Sequence, residues 1–125
     1  MSREVESEVD LDKLFASIDA MDVESFVGFL TEDGTFRFGS APPVSGREAV
    51  GAAVGGFFSS IEGLRLDLQR VIREGDTIVC EGEVAYTRQD GSEITLPFCD
   101  VFEVSDGLIA TYLIYMDIGP LFAAT

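Results

Sequence analysis

Apolar positions recur at helical spacing over the first third of the chain and at every second position over most of the rest. Leu11, Leu14, Phe15 and Ile18 share one side of a helix that Asp10 or Asp12 can cap, and Ala20-Met21-Asp22 breaks the pattern. Asp22 then caps a second helix, with Val23, Phe26, Val27, Phe29 and Leu30 as its buried stripe and Glu32-Asp33-Gly34 as its end. Thr35-Phe36-Arg37-Phe38 alternates as a short strand, and Gly39-Ser40-Ala41-Pro42-Pro43 is a loop. A third helix opens at Ser45-Gly46-Arg47-Glu48 and carries Val50, Ala53, Val54, Phe57 and Phe58 on one side. From Leu64 the period becomes two: Leu64, Leu66 and Leu68 alternate with polar residues, and after a turn at Gly75-Asp76 the stretch 77–88 puts Ile78, Cys80, Gly82, Val84 and Tyr86 on one face. Gln89-Asp90-Gly91 is a hairpin signal, and a pair of strands over 94–104 and 108–117 completes the sheet. Helices first and a meander afterwards predict an α+β fold, with the N-terminal helices packed on one face of a curved, mostly antiparallel sheet. Residues 1–9 read as a frayed lead-in and 10–125 as one domain, long enough to bury a core without staples.

The last hairpin carries the candidate chemistry. Asp106-Gly107 between two alternating apolar runs predicts a two-residue turn, since both residues tolerate φ > 0. That turn pairs Asp100 with Leu113 and Phe98 with Tyr115, and it brings Asp117 opposite Leu96 on the same face. Asp100, Tyr115 and Asp117 then point together among Phe98, Phe102 and Leu113, whereas Val101, Tyr112, Ile114 and Met116 face away. A carboxylate set in an apolar row is costly unless paired, hydrogen-bonded or kept protonated, so this face reads as a pocket wall. The reversed face is apolar too, which predicts that Tyr112, Ile114 and Met116 are buried against a second copy of the chain, as a homodimer through the outer sheet face.

Composition narrows the chemistry. Acidic residues outnumber basic ones 23 to 8, for a net charge of -15, which disfavours nucleic acid and anionic membrane surfaces as partners. With no histidine, nucleophile systems built on Ser-His-Asp or Cys-His are excluded. Cys80 and Cys99 sit in apolar runs without disulfide or metal spacing, so neither a metal nor a cofactor is expected and the working groups are carboxylates and hydroxyls. Ten phenylalanines without a tryptophan favour a greasy pocket for a small apolar molecule. The acidic start, MSREVESEVD, lacks the basic and apolar regions of a signal peptide, and no apolar run reaches membrane-spanning length, so a cytoplasmic place is expected.

Several strings, in order and spacing, resemble the nuclear transport factor 2-like superfamily, in particular its SnoaL-like branch. They are Ala20-Met21-Asp22, Leu30-Thr31-Glu32-Asp33-Gly34-Thr35, Val44-Ser45-Gly46-Arg47-Glu48-Ala49-Val50, and Phe102-Glu103-Val104-Ser105-Asp106-Gly107-Leu108-Ile109 running on to Tyr115-Met116-Asp117. The resemblance implies a conical α+β barrel whose sheet curls round a pocket closed by helices, on a scaffold that hosts isomerases, cyclases, hydrolases, dehydratases and binding proteins alike. Asp100 matches the oxyanion-hole acid of the ketosteroid isomerase relatives, while their helix-borne tyrosine and general-base aspartate fall at Leu14 and Phe38. The limonene epoxide hydrolase set falls at Phe36, Phe38, Gly82 and Val84, and keeps only its last-strand aspartate, as Asp117. Asp117 also matches the acid/base aspartate of SnoaL-like cyclases.

The expectation is therefore cofactor-free acid/base isomerisation or cyclisation of an apolar, oxygenated substrate of polyketide, steroid or terpenoid type. Asp117 moves the proton, Asp100 with Tyr115 holds a substrate oxygen, and Phe36, Phe38, Phe58, Phe98 and Phe102 line the site. The alternatives are a non-catalytic carrier of the same kind of ligand, and an interaction module whose interior is filled by phenylalanine.

Overall fold

A computed structural model describes residues 9–123. Helix α1 (Leu11–Asp19) starts at Asp10, whose side chain accepts from the Lys13 backbone N–H, and buries Leu11, Leu14 and Phe15. It ends in a Schellman turn: the N–H of Asp22 reaches the carbonyl of Ser17, that of Met21 reaches Ile18, and Met21 takes φ +53 where glycine is the usual choice. Asp22 then caps α2 (Val23–Val27). This helix is shorter than its apolar stripe predicts. The Phe29 carbonyl accepts the Ile109 N–H at 2.8 Å, and the Arg47 guanidinium donates to the Leu30 carbonyl from Nε at 3.0 Å and Nη2 at 2.6 Å. These bonds draw the chain into strand β1 (Leu30–Phe38), so Glu32-Asp33-Gly34 lies within a bulged strand rather than at a helix end. A two-residue strand, β2 (Val44–Ser45), leads into α3 (Arg47–Ser59), which buries Val50, Val54 and Phe58.

The meander follows as β3 (Gly63–Glu74), β4 (Thr77–Thr87), β5 (Glu93–Ser105) and β6 (Leu108–Tyr115). The sheet order is β2-β1-β6-β5-β4-β3, antiparallel throughout except for the parallel β1–β6 pair. The sheet curves but stays open, with β2 and β3 at its edges. A turn of helix not foreseen from the sequence, α4 (Gly119–Phe122), ends the described chain. Residues 1–8 of the expected lead-in lie outside the described residues, and Val9, its last residue, is buried in the core. Among the described residues no helix is long and apolar enough to cross a membrane.

Alternation holds along β4 and β5. Ile78, Cys80, Val84 and Tyr86 on one strand, and Leu96, Phe98, Asp100 and Phe102 on the other, all face inward and are buried. The Asp106-Gly107 turn forms as expected, with φ of 53° and 81° and Ser105 paired to Leu108. Three residues later the register slips, because Val104 pairs with Ile109 but Glu103 pairs with Thr111, leaving Ala110 as a one-residue bulge. The cause is tertiary. Beside Ala110, the parallel neighbour β1 makes its own excursion between Leu30 and Thr35, and Gly34 packs close to the Ile109 carbonyl.

Candidate functional site

The Ala110 bulge decides which side chains reach the interior. A slip of one residue exchanges the two faces of a strand, so Asp100 stands opposite Ile114 rather than Leu113, and Tyr115 stands opposite Cys99 rather than Phe98. Tyr112, Ile114 and Met116, expected on the outside and in a dimer interface, instead line an internal cavity of their own chain. Tyr115 turns outward and is 52% exposed. Asp117 is exposed as well, and its Oδ1 accepts the Gly119 N–H at 3.0 Å, closing the turn that leads into α4. Neither Tyr115 nor Asp117 belongs to the cavity. The two carboxylates that the sequence aligned on one face are thus split between the two faces of the sheet.

The cavity itself, about 310 Å³, lies between the inner face of the sheet and helices α1 and α3, with α4 at its mouth. Of the phenylalanines expected there, Phe36 and Phe38 arrive from β1, Phe58 from the last turn of α3 and Phe98 from β5. Phe102 does not reach it. That ring is fully buried behind the wall, 4.4 Å from the Tyr112 ring centroid, and serves as core. The walls are hydrocarbon and aromatic apart from one carboxyl and two phenols, and among the described residues no lysine or arginine lines them.

That carboxyl is Asp100. It is 3% exposed, and its Oδ1 has no hydrogen-bond partner. Burial pushes its pKa well above the ordinary value of 3.8, because the carboxylate would lose its hydration there and no cation lines the cavity among the described residues. Its neighbours respond in kind. Cys80, directly across on β4, has its thiol pushed up to about 12, by burial first and by the nearby Asp100 second. Burial and then Asp100 also raise the Tyr86 and Tyr112 phenols, which makes all three poor nucleophiles and keeps them as neutral donors.

Tyr86 and Tyr112 were not singled out as site residues. For Tyr86 the signal was present, since alternation along β4 placed it on the inner face; its hydroxyl now donates only to the Met116 sulfur, at 3.7 Å. For Tyr112 the pattern pointed the wrong way, because the bulge is not written in β6. Among the described residues there is no group of three or more His, Cys, Asp or Glu side chains that could hold a metal.

Comparison with known proteins agrees with this geometry. The family model described as SnoaL-like domain matches residues 11–112. No curated protein matches the sequence. Among solved structures, an NTF2-like protein of unknown function from Burkholderia pseudomallei K96243 superposes with a TM-score of 0.83 at 20% identity, covering 97% of this chain and 95% of that one. A protein from Jannaschia sp. CCS1, described as a SnoaL-like polyketide cyclase, gives 0.79 at 19% identity over 96% and 89% of the two chains. TerC, co-crystallised with polyporic acid, gives 0.78 at 19% identity over 89% and 91%. At such identities these structures share the fold with this chain.

Proposed function

Because the chain belongs to the SnoaL-like domain family, we propose that it takes a small, apolar, oxygen-bearing molecule of polyketide, steroid or terpenoid type into the cavity and catalyses its isomerisation or cyclisation without a cofactor, with Asp100 as the working acid. One observation carries this reading: among the described residues a single carboxyl, that of Asp100, lines the apolar cavity, and its Oδ1 has no hydrogen-bond partner. A buried carboxyl kept neutral is both a donor, through its O–H, and an acceptor, through its carbonyl oxygen. Donation to a ligand carbonyl acidifies the carbon beside it. The second carboxyl oxygen accepts the proton that this carbon releases, so an enol forms and the acid is regenerated in its other tautomer. The same two oxygens reverse the exchange at a different carbon, and the double bond has moved. The Tyr86 hydroxyl, held now by a weak sulfur acceptor, is a second donor for the ligand oxygen. The ligand class draws support from the cyclase description of the Jannaschia protein and the polyporic acid bound to TerC.

The test uses androst-5-ene-3,17-dione, an apolar ketone whose double bond can move into conjugation, followed by absorbance. Wild type is expected to convert it, and Asp100→Asn, which keeps shape and polarity but cannot move the proton, is expected to lose about 10²-fold or more in kcat. Equal conversion by both proteins would remove Asp100 from the chemistry. Saturable binding with no conversion favours the second reading, a carrier, to which the exclusion of Asp117 from the cavity lends weight by leaving a single carboxyl there.

The outer sheet face is proposed as the contact between two copies. Ile72, Val79, Val101 and Leu113 run side by side across β3, β4, β5 and β6 on that face, with Ile72 49% exposed and Tyr115 close by in the next row. Two chains of charge -15 repel, so association has to come from such an apolar row. Leu113→Glu is expected to turn a dimer into a monomer in light scattering at micromolar concentration. A monomeric wild type would end the proposal.

A further inference from the structure

We propose that Phe122, carried on α4, is the specificity-determining side chain at the cavity mouth: it closes over the hydrocarbon end of a ligand that has entered with its polar end toward Asp100. The ring lines the cavity and is nevertheless 55% exposed, more than Val71, Ile72 or Tyr115, the other large apolar side chains that stand in solvent. Its ring stands perpendicular to that of Phe57, at 6.3 Å between centroids. A phenyl ring half in water at the rim of an apolar cavity gains burial only from something apolar reaching the mouth. The cavity presents its carboxyl on β5, at Asp100, and apolar side chains beside Phe122. A bound molecule therefore points its oxygen inward and its apolar end at Phe122.

The rest of α4 is fixed in place beneath that ring. Leu121 is 2% exposed in the cluster with Val84, Tyr86 and Phe98. Arg88 donates from Nε to the Leu121 carbonyl at 2.9 Å and from Nη2 to the Pro120 carbonyl at 3.1 Å, and its Nη1 is steadied by the Ser92 hydroxyl at 3.1 Å. Asp117 accepts the Gly119 N–H in the turn that leads into α4. So Asp117 and Arg88 act on the ligand through the helix: they are positioning residues, and Phe122 is the side chain of α4 that stands half in solvent. The ligand class that follows is a molecule with one terminal carbonyl and an uninterrupted hydrocarbon body long enough to reach the mouth. This rests on the reading that Asp100 holds the ligand oxygen.

The experiment is displacement of Nile red from the full chain by straight-chain methyl ketones, from heptanone to tridecanone, with dissociation rates from stopped flow. In wild type each added methylene is expected to tighten binding about fourfold until the tail passes Phe122, after which the series flattens. Phe122→Ala is expected to leave the short ketones within about twofold of wild type while the long ones dissociate about tenfold faster, and Phe122→Leu to restore most of the difference. Arg88→Gln, which releases both α4 carbonyls, is expected to reproduce the length-dependent loss. A Phe122→Ala effect equal for short and long ketones, or no effect beyond twofold on any of them, overturns the proposal. If Asp100→Leu, which keeps the side chain's size but removes both donor and acceptor, leaves every ketone unchanged, the reading of Asp100 fails whatever Phe122 does. If it weakens all of them while Phe122→Ala lacks a length dependence, only the gate fails. No saturable displacement by any ketone sinks both.

Discussion

Gly82→Ala is expected to cost about 4 kcal/mol or more, a large share of the roughly 5–15 kcal/mol that holds an ordinary domain folded. Gly82 stands on β4 opposite Leu68, where β3 bulges at Gln69. A Cβ built on Gly82 would sit inside the contact distance of the Asp67 carbonyl oxygen, with the Asp67 carbonyl carbon at 3.1 Å and the Gln69 nitrogen at 3.2 Å. All three are backbone atoms, so no side-chain rotation can make room, and β3 would have to lift off β4. Gly56→Ala is the control. Gly56 lies on the exposed side of α3 with nothing within 4 Å of its added Cβ, and there alanine should stabilise by about 0.5–1 kcal/mol. Urea denaturation of the two variants should therefore move in opposite directions, and equal midpoints would show that β3 and β4 are not so tightly joined at the bulge.

The other bulge, at Ala110 in β6, illustrates what could and could not be read from the chain. The order of the long elements, the Asp10 and Asp22 caps, the inner face of β4 and the Asp106-Gly107 turn follow from local chemistry, since each is settled by residues within a few positions of one another, whereas the short β2 and α4 do not. The register of β6 is settled elsewhere. Ala110 and Thr111 carry no mark of a bulge; the slip answers an excursion in β1, about eighty residues earlier, which reaches β6 only because those strands run parallel side by side. The end of α2 was misjudged for a related reason. Phe29 and Leu30 continue the helical stripe, yet hydrogen bonds from Ile109 and Arg47 take their carbonyls into the sheet. One unforeseen residue then propagates: Tyr112, Ile114 and Met116 move inside, Tyr115 moves outside, and Asp117 passes from expected acid to acceptor in a turn. Asp100, Phe36, Phe38, Phe58 and Phe98 keep their places, because none of them depends on the stretch after the bulge.

Asp100 should also make the protein lose stability as pH rises, the reverse of the usual behaviour of a carboxyl. Its folded pKa lies well above 3.8 because of burial, so between about pH 4 and that raised value the folded state holds a proton that the unfolded chain has released. Stability from this group is complete below pH 4 and falls through the window, by up to about 1.4 kcal/mol per unit of pH. The other titratable groups facing it do not blur the slope. The Cys80 thiol sits at about 12, burial keeps the Tyr86 and Tyr112 phenols neutral, and among the described residues no cation lines the cavity. Asp100→Asn lacks the titration and shares the 22 other acidic residues of the 23, so the difference in unfolding free energy, wild type minus variant, should fall steadily with pH in urea melts. A methyl ketone that accepts from the neutral acid binds only the protonated form, and should extend the stable range toward higher pH. A difference that rises with pH instead would mean that Asp100 is ionised in the folded state, and a donor to a ligand oxygen would be lost along with the sign of the slope.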